Sequence, residues 1–219
     1  MSPISSSLAS ISKQFGVFGS SSSSSLALRS FSYVEYSSTN TWDITVPADT
    51  QPEDLMIVMA GCRDGRTQDN FAFTGTASFT DLASGLQNIF CRYATANSGD
   101  AGTIITTTWS GNTTGPIGLY VFKGGTYVSS SIQGRTNSNY TLTAPSGYSP
   151  DKFAILFNQD RADNTVSPGL SEILREADVD SGRSYYKFQI ERSGAASISN
   201  QSVTNVDSDS VGAYIVVGQ

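Results

Sequence analysis

The sequence contains no histidine, and this absence removes several classes of enzyme. Ser-His-Asp and Cys-His nucleophilic sites need an imidazole as their general base, and most catalytic zinc sites need one as a ligand. The chain also has no GxxxxGK[ST] or GxGxxG segment, so it lacks a glycine-rich cradle for a nucleotide phosphate. We therefore expect a protein that is not an enzyme and holds no cofactor or metal.

Cysteines and long apolar runs are also scarce. Cys62 and Cys91 are too few for a disulfide scaffold, and we expect two small, partly buried thiols in a reducing compartment. No run approaches the roughly 18 apolar residues of a membrane-spanning helix. The N-terminal stretch has no basic start followed by an apolar core, which is the pattern of a secretory signal. We expect no membrane partner.

Basic residues are outnumbered by acidic ones. The chain has 13 Lys and Arg against 19 Asp and Glu, which gives a net charge of −6. A protein that binds a phosphate backbone needs clustered Lys and Arg to neutralise it. We therefore expect no nucleic-acid partner.

An internal repeat is the main positive signal. The segment 44–64 (ITVPADTQPEDLMIVMAGCRD) aligns with 142–162 (LTAPSGYSPDKFAILFNQDRA) at an offset of 98 residues. Further on, GLYVFKG at 118–124 aligns with GAYIVVG at 212–218 at an offset of 94, which places Tyr120 on Tyr214. Such self-similarity predicts two copies of one β-rich unit.

Short strands between turn signals predict the fold of each copy. Residues 55–60 are continuously apolar, as in a central strand covered on both faces, and 61–70 read as a loop. Ser171–Ala177 (SEILREA) has helical spacing and predicts a single helical turn. The whole pattern predicts an all-β protein of two tandem antiparallel β-sandwich domains, jelly-roll or immunoglobulin-like, over residues 28–124 and 125–219.

Residues 1–27 differ from the rest of the chain. About half of the first 25 residues are serine, and such a segment cannot bury enough apolar surface to offset its ordering entropy. A short apolar island interrupts it, consisting of Ile11, Phe15, Val17 and Phe18. We interpret the segment as an extended N-terminal arm whose island anchors the protein to a larger assembly. The alternative is a tail without a role.

Carboxylates are the remaining candidates for chemistry. Glu53 and Asp54 lie in the turn before the apolar strand, and Asp151 has the same place in the second copy. A glycosidase needs two carboxyl groups facing each other across a cleft, so we expect these acids only to shape turns. Four loop acids could offer oxygen ligands to calcium but lack EF-hand spacing: Asp64, Asp69, Asp160 and Asp163.

Aromatic and basic residues supply the last candidates. Trp42 and its repeat partner Tyr140 begin strands, which favours core packing. Trp109 ends a strand before the polar loop 110–115, so it is the candidate residue for stacking on a glycan, with core packing as the favoured alternative. Arg63 and Arg161 recur at one repeat position, and we expect each to pair with a local acid.

The order of motifs resembles that of phage virion accessory proteins. The motifs are ITVPA, a Pro-Glu-Asp turn, LMIVMAG, RDG, a FxxL strand, CRYATA, TIITTTWSG and GLYVFKG. The resemblance covers 42–125 well and 140–218 loosely, and similar strings recur in tail-fibre, tail-associated and head-decoration polypeptides. It implies a non-enzymatic structural protein of the virion that forms a homo-oligomer and contacts other tail or capsid proteins. The alternatives are a carbohydrate-binding module for host surface glycans and an enzyme acting on polysaccharides.

Overall fold

The computed structural model describes residues 26–160, 165–166, 171–177, 185–191 and 197–219. Every regular element in these residues is a β-strand, which confirms the predicted all-β class. The strands are β1 (Ala27–Thr45), β2 (Leu55–Gly61), β3 (Gln68–Phe73), β4 (Thr80–Asp81), β5 (Ile89–Thr95), β6 (Ile104–Lys123), β7 (Thr126–Thr136), β8 (Tyr140–Leu142), β9 (Phe153–Asp160), β10 (Thr165–Val166), β11 (Ser171–Ala177), β12 (Tyr185–Glu191), β13 (Gln201–Thr204) and β14 (Ser210–Gly218). None of these residues forms a helix that could span a membrane.

The first half of the described chain, residues 26–124, forms one curled antiparallel sheet. Its strand order is β1-β6-β2-β5-β4, and β3 pairs with the N-terminal part of β6. The long strands β1 and β6 pair from Ala27 with Lys123 to Thr45 with Ile104. Because register shifts interrupt this ladder between Tyr36 and Thr41, the sheet folds back over β2 as a second layer.

The second half, residues 125–219, forms two separate antiparallel sheets. The larger has the order β11-β12-β9-β14-β7, and the smaller has the order β10-β13-β8. Both central strands, β9 and β14, are fully buried along their length. Their near-continuous apolar sequences suit strands that are covered on both faces.

Side chains on successive residues of the central strands point into different cores, as the two-residue period requires. The first-half core lies inside the curled sheet and includes Trp42, Met56, Val58 and Trp109. The second-half core lies between the two sheets of the second half and includes Leu142, Ala154, Leu156 and Tyr214 among the residues whose side chains are described.

A third and larger core joins the two halves, and we call it the shared core. Its buried residues are Leu26, Leu55, Ile57, Met59, Ala83, Ile89, Cys91, Tyr120 and Phe122 from the first half, and Phe153, Ile155, Phe157, Val211, Ala213, Ile215 and Val217 from the second. The rings of Phe122 and Phe153 lie 5.3 Å apart across it, and those of Tyr93 and Tyr127 stack at 4.5 Å. The described chain is therefore a β-sandwich-like stack of layers with a core common to both halves.

Several local predictions were wrong. Ser171–Ala177 is not a helical turn, since it forms β11 and pairs with β12 from Ser171 opposite Ile190 to Ala177 opposite Tyr185. The expected loop 61–70 already contains the start of β3. In each case pairing with a neighbouring strand outweighs the local signal.

The second block of the repeat alignment pairs residues that face different cores. The alignment places Tyr120 on Tyr214, yet Tyr120 faces the shared core and Tyr214 faces the second-half core. Ile57 pairs with Tyr120, and Ile155, which is 98 residues after Ile57, pairs with Ile215. Since a slip of one residue reverses the facing of every side chain in a strand, an alignment that keeps side chains on matching faces places Tyr120 on Ile215.

Candidate functional site

A groove of about 390 Å³ opens at one edge of the first half. One wall is β3 with the preceding Thr67, and the other is the segment 81–86 between β4 and β5. This volume lies in the range of small-molecule sites. The groove is the concave feature of the described chain that we take as its candidate binding site.

The Arg92 guanidinium holds the floor of the groove together. Its Nη2 donates to Asp81 Oδ2 at 2.7 Å, and this ion pair links β5 to β4. The same guanidinium lies 4.5 Å from the centroid of the Phe71 ring on β3, a cation–π distance. Phe71 packs edge-on against Phe79 at 5.2 Å, so an aromatic cluster supports the floor from below.

Backbone contacts fix the second wall. Asp81 Oδ1 accepts a hydrogen bond from the Ala83 N–H at 2.8 Å, and the Leu86 N–H donates to the Ala83 carbonyl at 3.1 Å. Gly85 has a φ of 77°, a conformation that glycine adopts without strain. An isolated bridge between Thr67 and Gln87 joins the two walls and closes that end of the groove.

The second half of the chain supports this wall from behind. The Arg135 N–H of β7 donates to the Gln87 carbonyl at 3.0 Å. A Cβ added at Gly134 would lie 3.1 Å from Leu86 Cβ, which shows how closely β7 approaches the wall. The groove therefore depends on the packing of the two halves.

Polar side chains form the rim. Asp69, Asn70 and Ser84 are exposed, and Gln68 is half-buried with its Nε2 donating to the Asn70 carbonyl at 3.0 Å. The rim offers amide and hydroxyl groups that can both donate and accept hydrogen bonds. The sequence pattern does not indicate this site, because one wall overlaps the predicted loop 61–70 and the other follows the predicted FxxL strand.

Trp109 is not available as a glycan-stacking residue. Its side chain is 1% exposed and packs edge-on against Trp42 at 5.2 Å between ring centroids. A sugar needs an open aromatic face, so the candidate role given to Trp109 is incompatible with this arrangement, and the core packing also considered for it is observed. The predicted anchoring residues, Ile11, Phe15, Val17 and Phe18, lie outside the described residues.

The recurrent arginine of the first half pairs with a neighbouring acid, as predicted. Arg63 Nε lies 3.5 Å from Asp64 Oδ2, and the Asp64 N–H donates to Asp209 Oδ2 at 3.3 Å. Asp209 also accepts a hydrogen bond from Arg135 Nε. These contacts tie the loop after β2 to the second half. Arg161 lies outside the described residues.

The turn acids act as expected from their position before a strand. Asp54 is 2% exposed and accepts a hydrogen bond from the Gln51 N–H at 2.7 Å. It also forms an ion pair with Arg29, whose Nε lies 2.5 Å from Asp54 Oδ2. Asp151 accepts a hydrogen bond from Ser149 Oγ at 2.5 Å. These contacts shape the two turns.

The loop acids do not form a cation site in the part of the chain that can be described. Asp64 and Asp69 are exposed, whereas Asp160 is fully buried. Within the described residues no three Asp, Glu, Cys or His side chains come together as metal ligands. Asp163 falls outside those residues.

Both cysteines are more deeply buried than expected. Neither is exposed at all; Cys91 faces the shared core and Cys62 faces the first-half core. Burial disfavours the thiolate and raises the pKa of both thiols well above the usual range. Both are reduced and unpaired with each other.

Comparison with protein-family models, with curated proteins and with solved structures finds no match.

Proposed function

We propose that this chain is a non-enzymatic structural protein of a tailed-phage virion. In this role it would serve as a tail-fibre or tail-adaptor component, or as a decoration protein of the capsid. It would assemble as a homo-oligomer on other virion proteins. The proposal rests on the motif resemblance together with the construction of the molecule as one continuous packing block.

The strand order supports an origin by duplication. The main sheet of the first half has the order β1-β6-β2-β5-β4, and that of the second has β7-β14-β9-β12-β11 when read in the same direction. The layer formed by β3, β6 and β1 in the first half corresponds to β10, β13 and β8 in the second. Two sandwiches of one topology, in tandem, are the simplest source of this agreement.

The packing of the two halves against each other is the strongest structural support for the proposal. The β12 strand lies against β6, and β14, the counterpart of β6, lies against β5, the counterpart of β12. This exchange of equivalent contacts is what a two-fold related pair of units gives. A duplicated pair joined through the shared core makes a rigid building block, which suits a load-bearing particle component.

The N-terminal arm, residues 1–27, supplies the anchor in this proposal. Leu26 is buried in the shared core next to Gly125, so the arm joins the block at a fixed point. The apolar residues Ile11, Phe15, Val17 and Phe18 would bury themselves on a neighbouring virion protein. Many copies on a symmetric particle would multiply a modest contact.

Incorporation into virions tests the proposal. A chain lacking residues 1–25 keeps Leu26 and should fold with unchanged stability but be lost from purified particles. The double variant Phe15→Ser/Phe18→Ser should be lost in the same way, whereas Ser22→Ala/Ser24→Ala should be incorporated normally. Undiminished incorporation of the truncated chain would contradict the anchoring role, and absence of the full chain from particles would contradict the virion role.

A further inference from the structure

We propose that the groove between β3 and the segment 81–86 binds a neutral saccharide. The proposal goes beyond the virion role and does not depend on it. It moves the candidate glycan contact from Trp109, which is buried, to a surface that is open.

Charge argues for an uncharged ligand. The residues lining the groove include two carboxylates, Asp69 and Asp81, and one guanidinium, Arg92. Because Asp81 and Arg92 pair at 2.7 Å, the charge that faces a ligand is that of the exposed Asp69. A phosphate, sulfate or uronate group would be repelled here, and the chain as a whole carries a charge of −6.

The polar groups suit a ligand rich in hydroxyls. Each sugar hydroxyl donates and accepts hydrogen bonds, so it is best matched by amides, hydroxyls and carboxylates together. Asn70 and Ser84 present such groups from opposite walls, and Asp69 adds an acceptor. The half-buried Leu86 offers apolar surface for the C–H face of a sugar ring.

The shape of the groove favours a short or terminal saccharide over an extended peptide. The Thr67–Gln87 bridge joins the walls at one end, so a long chain cannot pass through. A volume of about 390 Å³ holds one or two sugar rings. Among the described strands β3 pairs only with β6, and the Thr67–Gln87 bridge limits a peptide strand added at its other edge to the length of β3.

The walls and floor are fixed before any ligand arrives. The Asp81–Arg92 ion pair, the stacking of Arg92 on Phe71 and the Asp81 contact to the Ala83 N–H all hold the groove open. Rigid sites of this kind lose little conformational entropy on binding, which helps a weakly interacting ligand.

Binding by the full chain can be measured directly. The probes are neutral hexasaccharides of glucose, galactose, mannose, rhamnose and N-acetylglucosamine, with polygalacturonate as the anionic comparison. Amide chemical shifts of the labelled protein should move on addition of at least one neutral probe, and the shifts should centre on 67–71 and 83–86. Polygalacturonate should cause no such change.

Two variants and a control separate the groove from the rest of the surface. Ser84→Trp fills the groove and should weaken binding at least tenfold, and Asn70→Ala removes one hydrogen-bonding group and should weaken it about fivefold. Ser98→Trp places the same indole on an exposed turn at the opposite end of β5 and should bind normally. No binding of any neutral probe, equal binding by Ser84→Trp, or a preference for polygalacturonate would overturn the proposal. Any of these results would leave the incorporation test unaffected.

Discussion

The two halves of the chain each contain two layers of strands, but the strands connect these layers differently. In the first half, β1 and β6 are 19 and 20 residues long and run through both layers of the sandwich. In the second half no described strand is this long, and the short strands β8 and β13 of the smaller sheet are separate from β7 and β14 of the larger one. The breaks fall at 137–139 and at 205–209, where Asn205 and Asp209 have positive φ values of 60° and 61°.

This difference determines whether backbone hydrogen bonds or side-chain packing hold the two layers of a half together. A continuous strand joins two layers through one hydrogen-bonded ladder. The layers of the first half are therefore joined by backbone hydrogen bonds as well as by side-chain packing. No described strand of the second half runs through both of its sheets, which are joined by loops and by the second-half core. We therefore expect the second half to depend more on side-chain packing, including that of the shared core.

The largest expected effect comes from the shared core. Phe157 of β9 reaches across to β2, where a Cβ added at Gly61 would lie 2.8 Å from its ring. Phe157→Ala should lower the free energy of unfolding by about 3–5 kcal/mol because it leaves a cavity between the halves. Phe157→Leu is the matched control and should cost about 1 kcal/mol. Urea denaturation measures both, and a loss below about 1 kcal/mol for Phe157→Ala would show that the halves do not depend on this contact.

The bend in the long strand of the first half is the next place to test. A Cβ added at Gly115 would lie 2.0 Å from the Gly61 carbonyl oxygen, so Gly115→Ala should destabilise the protein by about 3 kcal/mol. Gly102 has a φ of 77° but open space around it, and Gly102→Ala should cost only about 1 kcal/mol. Thermal unfolding of the two variants compares them. Equal losses would mean that close packing at the bend contributes nothing.

A buried carboxylate in each half allows a smaller and more symmetrical comparison. Asp209 accepts hydrogen bonds from Arg135 and from the Asp64 N–H of the other half. Asp54 pairs with Arg29 and accepts a hydrogen bond from the Gln51 N–H, both within the first half. Each acid accepts charge-assisted hydrogen bonds that alanine cannot accept, so Asp209→Ala and Asp54→Ala should each cost about 2 kcal/mol in chemical denaturation. A negligible cost for Asp209→Ala would show that the loop after β2 is not held by the second half.

The smallest effect concerns the two buried thiols. Their rate of alkylation reports how often the core around each thiol opens to solvent, and measuring it requires no substitution. Cys91 lies in the shared core and Cys62 in the first-half core. Burial raises the pKa of both, so iodoacetamide at pH 8 should modify neither until the protein opens. If the block opens as one unit, mass spectrometry will find equal modification rates, within about a factor of two. Faster modification of one thiol would identify a part that opens separately.

The all-β class and the central strand β2 could be predicted because their signals are local. The run 55–60 has the continuous apolar character of a strand covered on both faces. The segment Ser171–Ala177 misled because its helical spacing is also local, whereas its pairing with β12 is set by distant residues. The alignment of Tyr120 with Tyr214 was misleading because two identical residues can lie on opposite faces of their strands.

The groove and the burial of Trp109 could not be predicted for a different reason. Trp109 precedes a polar loop, but β6 continues beyond it for fourteen residues to Lys123 and carries its indole against Trp42. The groove needs two walls from separate edges and a supporting contact from β7. None of these relations has a counterpart in sequence spacing.

The most direct test of a block built on one shared core is to follow unfolding by two signals at once. Both tryptophans of the chain, Trp42 and Trp109, lie in the first-half core, so their fluorescence reports the first half, while far-ultraviolet circular dichroism reports all strands. For the wild type and for Phe157→Ala, whose change lies in the second half, the two signals should give one coincident transition, shifted to the same lower midpoint in the variant. A tryptophan transition that stays at the wild-type midpoint while circular dichroism shows an earlier, separate step would contradict the shared core as the basis of this fold.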